Sequence, residues 1–203
     1  MTRNRTAFTA TVAVAFIAAA LAVFAIWQMN AGFGMSGGSS SFTPSDEQKK
    51  EMSSAAKQLI NNNYEIVKLF YVNGLPTAPE PYGNIPQDGI LTVVSDEYAS
   101  LSDIDSFVDS VFVPAVAETI KNDPAGNGPL FYDRNGVLGQ SYEFEPDKNY
   151  PISWEQAPYT LNPISETECD INLTLRKNGI DTGFETSMIK ENGKWLLTKI
   201  IYQ

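Results

Sequence analysis

One uninterrupted apolar run near the N-terminus constrains this chain more than any other feature. The stretch from Ala7 to Trp27 contains no charged residue and consists mainly of alanine and larger apolar residues. A helix of about 20 such residues, rising about 1.5 Å per residue, crosses a hydrocarbon core about 30 Å thick. Backbone polar groups in lipid must be satisfied within the segment, so such a run is helical. The sequence therefore predicts a transmembrane helix over residues 7–28.

The distribution of charge around this run predicts its orientation. Arg3 and Arg5 precede the run, and the first acidic residue of the chain is Asp46. Because basic residues favour the cytoplasmic side, residues 1–6 are predicted to be cytoplasmic and the C-terminal domain to lie outside the cell membrane. The alternative is a cleaved signal peptide and a secreted protein. A signal peptide has an apolar core of about 7–15 residues before a small-x-small site. Residues 29–31 match such a site poorly, so we expect a retained single-pass helix.

The remainder of the chain divides into a linker and one domain. Residues 29–44 are rich in glycine and serine, which is typical of a flexible linker. Residues 45–203 have the length and apolar content of a single extracytoplasmic domain. The chain contains 14 basic and 24 acidic residues, a formal net charge of −10. This excess of acidic residues disfavours the binding of nucleic acids and of anionic lipid headgroups, so we expect no nucleic-acid partner.

Two residue counts restrict the chemistry. The chain has no histidine and one cysteine, Cys169. Histidine-based triads, zinc sites and general bases are therefore excluded, and no disulfide can form within the chain. Cys169 lies on the apolar side of a predicted strand and is interpreted as a buried small hydrophobe. Residues 133–136 resemble the opening of a calcium loop but lack the remaining ligands, so a turn is expected. We predict neither an enzyme nor a cofactor or metal site, hence no catalytic residue.

Two groups of acidic residues are candidates for catalytic carboxylates. The first lies at the start of a predicted helix and the second in an aromatic loop. Carboxylates in such positions are typically solvated or cap a helix. We therefore interpret both groups as solvated or capping carboxylates. The groups comprise Asp103, Asp105 and Asp109, and Glu143, Glu145 and Asp147.

Apolar periodicity predicts two helical regions. Apolar residues three and four positions apart indicate a helix from Ser45 to Val72, opened by a capping box at Ser45 and ended by Asn73 and Gly74. Residues 61–63, three asparagines, are expected to be a weak point of this helix. A second helix is predicted from Ser102, with Pro114 dividing it into two pieces that meet near Val113.

Alternation and turn residues predict the strands. A short strand is expected at Ile90–Val94, and a hairpin is expected around residues 133–136. Residues 168–202 predict a three-stranded antiparallel meander with turns at residues 178–179 and 192–193. Helices followed by a meander indicate an α+β domain in which helices pack on one side of a curved antiparallel sheet.

Several short stretches resemble known families. Residues 188–197 (MIKENGKWLL) resemble the last hairpin of cystatin-like and NTF2-like domains. Four other stretches are similar to the IseA family of bacterial exported inhibitors of DL-endopeptidase cell-wall hydrolases: 98–107 (YASLSDIDSF), 111–112 (VF), 130–138 (LFYDRNGVL) and 153–155 (SWE). The resemblance spans about residues 46–202. It implies a cystatin/NTF2-like fold and a role in inhibiting or regulating a cell-wall hydrolase, and it assigns no inhibitory residue.

The segment from Asn122 to Pro163 is the predicted binding site. It carries many aromatic residues among prolines and glycines, and aromatic side chains on restrained loops supply contact area at low entropic cost. We predict that it forms a lip that binds an extracytoplasmic protein partner. The alternatives are a loop folded back on the sheet as a lid and, for function, a small-ligand pocket inside the sheet. The candidate partner-binding residues are Tyr142, Phe144, Tyr150 and Trp154.

Overall fold

The computed structural model of the chain describes residues 42–79, 86–147, 152–153, 157–177 and 179–202. The predicted transmembrane helix at 7–28 and most of the predicted linker lie outside these residues, as do Tyr150 and Trp154. None of the helices in the described part is long and apolar enough to cross a membrane. Phe42, at the end of the predicted linker, packs against the hydrophobic core.

The first helix, α1 (Asp46–Val67), continues into a π-helical turn, Lys68–Val72. Its N-terminus has the predicted capping box, because the Gln48 backbone N–H donates to Ser45 Oγ and the Ser45 backbone N–H donates to Gln48 Oε1. The chain leaves the helix at Gly74, which has a φ of +62°. A left-handed conformation of this kind favours glycine, so the predicted end of the helix is confirmed.

The second helix, α2 (Leu101–Asp109), begins earlier than predicted. Ser100 rather than Ser102 is its N-cap, and Asp103 is the partner in a capping box. The Asp103 carboxylate accepts hydrogen bonds from the backbone N–H groups of Ala99 and Ser100, at 3.0 and 2.8 Å. The motif expected from the sequence, Ser102 followed by Asp105, has the same spacing as the observed pair of Ser100 and Asp103. The extended backbone of Ser100 selects the earlier motif.

The predicted break between the two helical pieces is confirmed. The third helix, α3 (Pro114–Asn122), has Val113 as its N-cap and Pro114 at its first position. Proline is tolerated there because the first backbone N–H of a helix has no intrahelical partner. Val113 donates its backbone N–H to the carbonyl of Leu197, at 3.0 Å, and Leu197 donates to the carbonyl of Val111, at 2.8 Å. The helix junction therefore covers part of a sheet edge.

The strands form two antiparallel sheets in the described part of the chain. The smaller sheet has the order β1-β3-β2; in the larger sheet β6, β7 and β8 are consecutive neighbours, and β4 and β5 both pair with the other side of β6. With the three helices, this confirms an α+β fold. The strands are β1 (Ile90–Thr92), β2 (Phe131–Asp133), β3 (Leu138–Ser141), β4 (Ile152–Ser153), β5 (Tyr159–Ser165), β6 (Glu168–Lys177), β7 (Ile180–Glu191) and β8 (Lys194–Leu197).

The predicted meander is correct in its pairing and wrong in its extent. It is part of a five-stranded sheet, because β4 and β5 add to it from a segment that the sequence left unassigned. The last strand was expected to reach Tyr202 but ends at Leu197. Thr198 donates its backbone N–H and its hydroxyl to the carbonyl of Ser187, at 2.9 and 3.1 Å, and the following residues leave the sheet.

The core lies between the helices and one face of the larger sheet. Alternate residues of β6 are at most 1% exposed, whereas Asn172 and Thr174 between them are exposed. Both faces of β8 are covered, since Trp195, Leu196 and Leu197 are all buried. In the sequence, the apolar residues of this last strand do not alternate strictly, which allowed either a bulge or coverage of both faces. The register between β7 and β8 is continuous, so coverage of both faces explains the pattern. The buried residues of β6 are Cys169, Ile171, Leu173 and Leu175.

A charged group links α1 to the larger sheet. Glu51 Oε1 accepts a hydrogen bond from the indole N–H of Trp195, at 2.9 Å, and one from Lys190 Nζ, at 2.5 Å. The hydrogen bond from Lys190, with the one from Trp195, lowers the pKa of the Glu51 carboxyl below its usual value. This contact holds one end of α1 against β7 and β8.

Glu51 should therefore contribute to the pH dependence of stability. Because its pKa is lower in the folded state than in the unfolded chain, the contribution is present above the unfolded pKa and is lost as the pH falls through the folded pKa. We expect the wild-type protein to lose more stability than the Glu51→Gln variant between about pH 6 and pH 3, measured by urea unfolding. Identical pH dependence in the two proteins would contradict this role of Glu51.

Candidate functional site

An open cleft beside the π-helical turn is the principal candidate site. Its volume is about 370 Å³, and four separate parts of the chain line it. These are the π-helical turn, the loop 124–130, the segment 141–147 after β3, and Tyr202 near the C-terminus. We call it the aromatic–acidic cleft, defined by the side chains of Phe70, Tyr71, Glu143, Phe144, Glu145, Asp147 and Tyr202 together with the loop 124–130.

The π-helical turn positions two aromatic side chains in the aromatic–acidic cleft. The Asn73 backbone N–H donates to the carbonyl of Lys68, at 2.7 Å, which closes the wider turn. Such turns occur often at functional sites, because they re-aim side chains relative to a regular α-helix. Phe70 is buried and packs edge to face on Phe131, with ring centroids 5.3 Å apart. Tyr71 is less buried and extends the aromatic surface.

Tyr202 forms another aromatic part of the cleft. Its ring stacks on Tyr71, with centroids 4.1 Å apart and planes inclined by 29°. The neighbouring residue, Ile201, is held by the side chain of Asn63: Asn63 Nδ2 donates to the Ile201 carbonyl at 3.1 Å, and the Ile201 N–H donates to Asn63 Oδ1 at 3.0 Å. Asn63 is completely buried. The asparagine run at residues 61–63 was expected to weaken α1, but through Asn63 it holds the C-terminal segment against the helix.

The two stacked tyrosines remain uncharged over the physiological pH range. Burial raises the pKa of Tyr71 to about 12, and the neighbouring Tyr202 adds to this effect. Burial also raises the pKa of Tyr202, with a further contribution from the carboxylate of Asp147. Both rings therefore present neutral aromatic surface beside the acidic residues of the cleft.

The segment 141–147 supplies the acidic side of the cleft. Glu143, Glu145 and Asp147 are exposed, and the cleft residues that the structure describes include no lysine or arginine. Within the described residues, neither Glu143 nor Glu145 forms a salt bridge. The carboxylates of Glu143 and Glu145 are solvated, as the sequence predicted. All three carboxylates lie beside aromatic rings, which the sequence did not predict.

The structure brings one of the four predicted site residues into the cleft and places a second beside it. Phe144 lines the cleft and packs against the core. Tyr142 is 48% exposed and follows directly on Ser141, a residue of the cleft wall. Tyr150 and Trp154 lie outside the described residues. Phe70 and Tyr71 were expected in a helix and Tyr202 in a strand, and the sequence did not indicate that all three line the cleft.

The backbone at Gly74 is tightly enclosed by the segment that leads to the cleft. A Cβ atom at Gly74 would lie 2.6 Å from Gln140 Oε1 and 2.8 Å from a ring carbon of Phe144. Gln140 Oε1 accepts a hydrogen bond from the Leu75 N–H at 2.7 Å, which fixes the chain at this point. The close packing shows how Phe144 is held next to the end of α1.

The other acidic group has mainly structural contacts. Asp103 caps α2, and Lys121 of α3 forms salt bridges with Asp109 and Glu118 at 2.9 and 2.8 Å. Partial burial raises the pKa of Asp105, which lies beside these charges. The salt bridge between Lys121 and Asp109 joins α2 to α3. The contacts of this group agree with its interpretation as helix caps and surface charges.

Two further residues have the environments expected from the sequence. Cys169 is completely buried, and burial raises the pKa of its thiol, which disfavours the nucleophilic thiolate. Asp133 accepts a hydrogen bond from the Gly136 N–H at 2.6 Å, and Asn135 and Gly136 both have positive φ. These two residues therefore form the predicted hairpin turn, of type I′.

Comparison with known proteins assigns neither a family nor a function to the chain. No known protein family matches the chain, and no curated protein matches it.

Proposed function

We propose that this protein is a membrane-anchored extracytoplasmic binding module whose aromatic–acidic cleft captures a protein partner. The observation that carries this proposal is the meeting of Tyr71, Phe144 and Tyr202 in one open cleft, with the exposed Tyr142 next to it. Aromatic side chains held on rigid elements supply large contact areas at low entropic cost, which makes them effective anchors in protein interfaces. The α+β fold is compatible with a cystatin/NTF2-like arrangement, which forms part of the proposal.

The partner that we propose is a cell-wall hydrolase, which the module inhibits or regulates. The similarity of the four stretches in residues 98–155 to the IseA family supports this choice, together with the predicted position of the domain outside the membrane. A retained membrane helix would confine such regulation to hydrolases near the cell surface. The linker at residues 29–44 would set how far the cleft reaches from the membrane.

A small-ligand pocket is the second candidate function. The volume of the cleft, about 370 Å³, lies within the range of small-molecule sites, about 300–1,000 Å³. Such sites enclose most of their ligand, however, and this cleft is open. On the core-facing side of the larger sheet, Ile171 and Leu173 are completely or almost completely buried and pack with Met52 of α1 in the same cluster. These features favour a protein partner.

Site-specific crosslinking tests the proposal. The photoreactive residue p-benzoylphenylalanine replaces Tyr142 in the full-length chain, expressed in the cells that produce it. We expect one predominant protein adduct, whose partner is identified by mass spectrometry as a cell-wall hydrolase. The matched control carries the same residue at Ile180, which is 70% exposed in the hairpin between β6 and β7, and should give no such adduct.

A substitution separates binding from folding in the same experiment. Tyr142→Ala should change the free energy of unfolding by less than about 0.5 kcal/mol, because the side chain is about half exposed. Capture of the partner through a photoreactive residue at Glu143 should nevertheless decrease. Equal adducts at Tyr142 and Ile180, or no protein adduct at Tyr142, would contradict the proposed function.

A further inference from the structure

Building on the proposed function, we infer that the aromatic–acidic cleft receives a lysine or arginine side chain of the protein partner. The cleft combines three carboxylates with the aromatic side chains of Tyr71, Phe144 and Tyr202. A long apolar stem that ends in a cation has the chemistry to contact both surfaces at once. The inference therefore specifies which kind of partner residue enters the site.

The electrostatic component comes from the segment 141–147. Glu143 and Glu145 are exposed, and the described residues provide neither with a salt bridge. Among the described residues, no basic side chain lines the cleft, and the whole chain has a formal net charge of −10. The net negative charge of the protein therefore attracts a basic group over a distance, and the carboxylates of the cleft attract it locally.

The aromatic component favours an organic cation. The face of an aromatic ring attracts an ammonium or guanidinium group within about 6 Å of its centroid. Contacts of this kind occur within the described residues, where Lys68 Nζ lies 4.8 Å from the ring centroid of Tyr64 and Lys190 Nζ lies 5.7 Å from that of Trp195. Burial raises the pKa values of Tyr71 and Tyr202, so at physiological pH both rings are neutral and attract a cation through their faces.

The arrangement of the carboxylates favours an extended cation over a metal ion. In the described part of the chain, no three acidic or cysteine side chains converge closely enough to hold a metal. Glu143, Glu145 and Asp147 alternate along one segment instead, next to the aromatic residues. Carboxylates spread in this way suit a side chain that extends along the cleft and presents several hydrogen-bond donors.

Peptide titration provides the first test. The probes are the pentapeptides GGKGG and GGRGG, and the control replaces the central residue by norleucine, which keeps an apolar stem and lacks the charge. The full-length protein, in detergent micelles and with 13C-labelled tyrosines, is titrated and observed by NMR. We expect the basic peptides to shift the signals of Tyr71 and Tyr202 and to bind about tenfold more tightly than the norleucine peptide.

Charge variants provide the second test. The double variant Glu143→Gln/Glu145→Gln should weaken binding of the basic peptides by about tenfold. The double variant Glu166→Gln/Glu191→Gln removes the same charge from two exposed positions outside the cleft, and its affinity should stay within about twofold of wild type. Equal weakening by both double variants would show a long-range effect of net charge and overturn the inference.

The remaining outcomes are distinct for the two proposals. Equal affinity for the basic and norleucine peptides would overturn the inference. If the photoreactive residue at position Tyr142 still formed the expected protein adduct, the proposed function would remain intact. Tighter binding of the free polyamine spermidine than of either basic peptide would assign the site to a small cation and overturn the inference. Selective binding of the basic peptides without a protein adduct at Tyr142 would contradict the proposed function and with it the protein source of the cation.

Discussion

Trp195→Ala should lower the free energy of unfolding by about 3–5 kcal/mol, the range for truncating a large buried aromatic side chain. Trp195 is 8% exposed and lies on β8, where it packs in the main core cluster. Its indole N–H also donates to Glu51 Oε1 at 2.9 Å, so the substitution removes both packing and a contact between α1 and the sheet. Urea unfolding of the full-length protein, followed by circular dichroism, measures the change.

Two control variants divide this effect into its parts. Trp195→Phe keeps most of the apolar volume and loses the indole N–H, so it should cost less than half as much as the alanine variant. Glu51→Gln keeps the packing of Trp195 and removes only the negative charge of the group that accepts its hydrogen bond. Its loss of stability therefore measures the contribution of that charge. A loss below about 1 kcal/mol in Trp195→Ala would contradict the burial of this side chain in the sheet.

Asn63→Ala should lower the free energy of unfolding by about 2–4 kcal/mol. Asn63 is completely buried, and its amide pairs with both the N–H and the carbonyl of Ile201. Removing the amide leaves two buried backbone groups without these partners, at a cost of about 1–3 kcal/mol for each such group. Partial relaxation of the C-terminal segment reduces the total, so we expect a value below the sum of the two costs.

The asparagine run itself contains the control for this prediction. Asn61 is exposed on the opposite side of α1, and Asn61→Ala should change stability by less than about 0.5 kcal/mol. The Asn63 variant should also disturb the stacking of Tyr71 on Tyr202, which near-ultraviolet circular dichroism detects. Alanine has a higher helix propensity than asparagine, so propensity alone would not lower the stability of either variant. Similar stability losses in the two variants would contradict the specific contact with Ile201.

Local features of the fold were predictable from the sequence because the residues that determine them are neighbours. The capping box at Ser45 and Gln48 connects residues three positions apart. The turn at Asn135 and Gly136 requires two consecutive residues that tolerate positive φ. The alternation in β6 follows directly from the two-residue period of a strand. The N-cap of α2 was missed by two residues, since two motifs of the same spacing overlap and only the backbone conformation selects Ser100.

The larger sheet was only partly predictable. Its β6–β7–β8 pairing was identified from turn residues between adjacent strands, whereas β5 lies in a segment with prolines and irregular aromatic spacing. Pairing with β6 supplies the hydrogen bonds that make residues 159–165 a strand, so tertiary context outweighs local propensity there. The end of β8 at Leu197 was also missed, because apolar residues continue in the sequence as far as Ile201. Thr198 still donates to the carbonyl of Ser187, but the residues after Leu197 are not part of a strand.

Several features could be read from the sequence by itself: the apolar run at residues 7–27, the excess of acidic residues, the absence of histidine and the α+β order of elements. It also pointed to the segment that contains Phe144. Only the tertiary structure decided that Phe144 shares a cleft with Tyr71 and Tyr202, which come from opposite ends of the domain sequence. The physical reason is that a buried amide, that of Asn63, pairs with the backbone of Ile201, and such a long-range pairing leaves no periodic or local trace in the sequence.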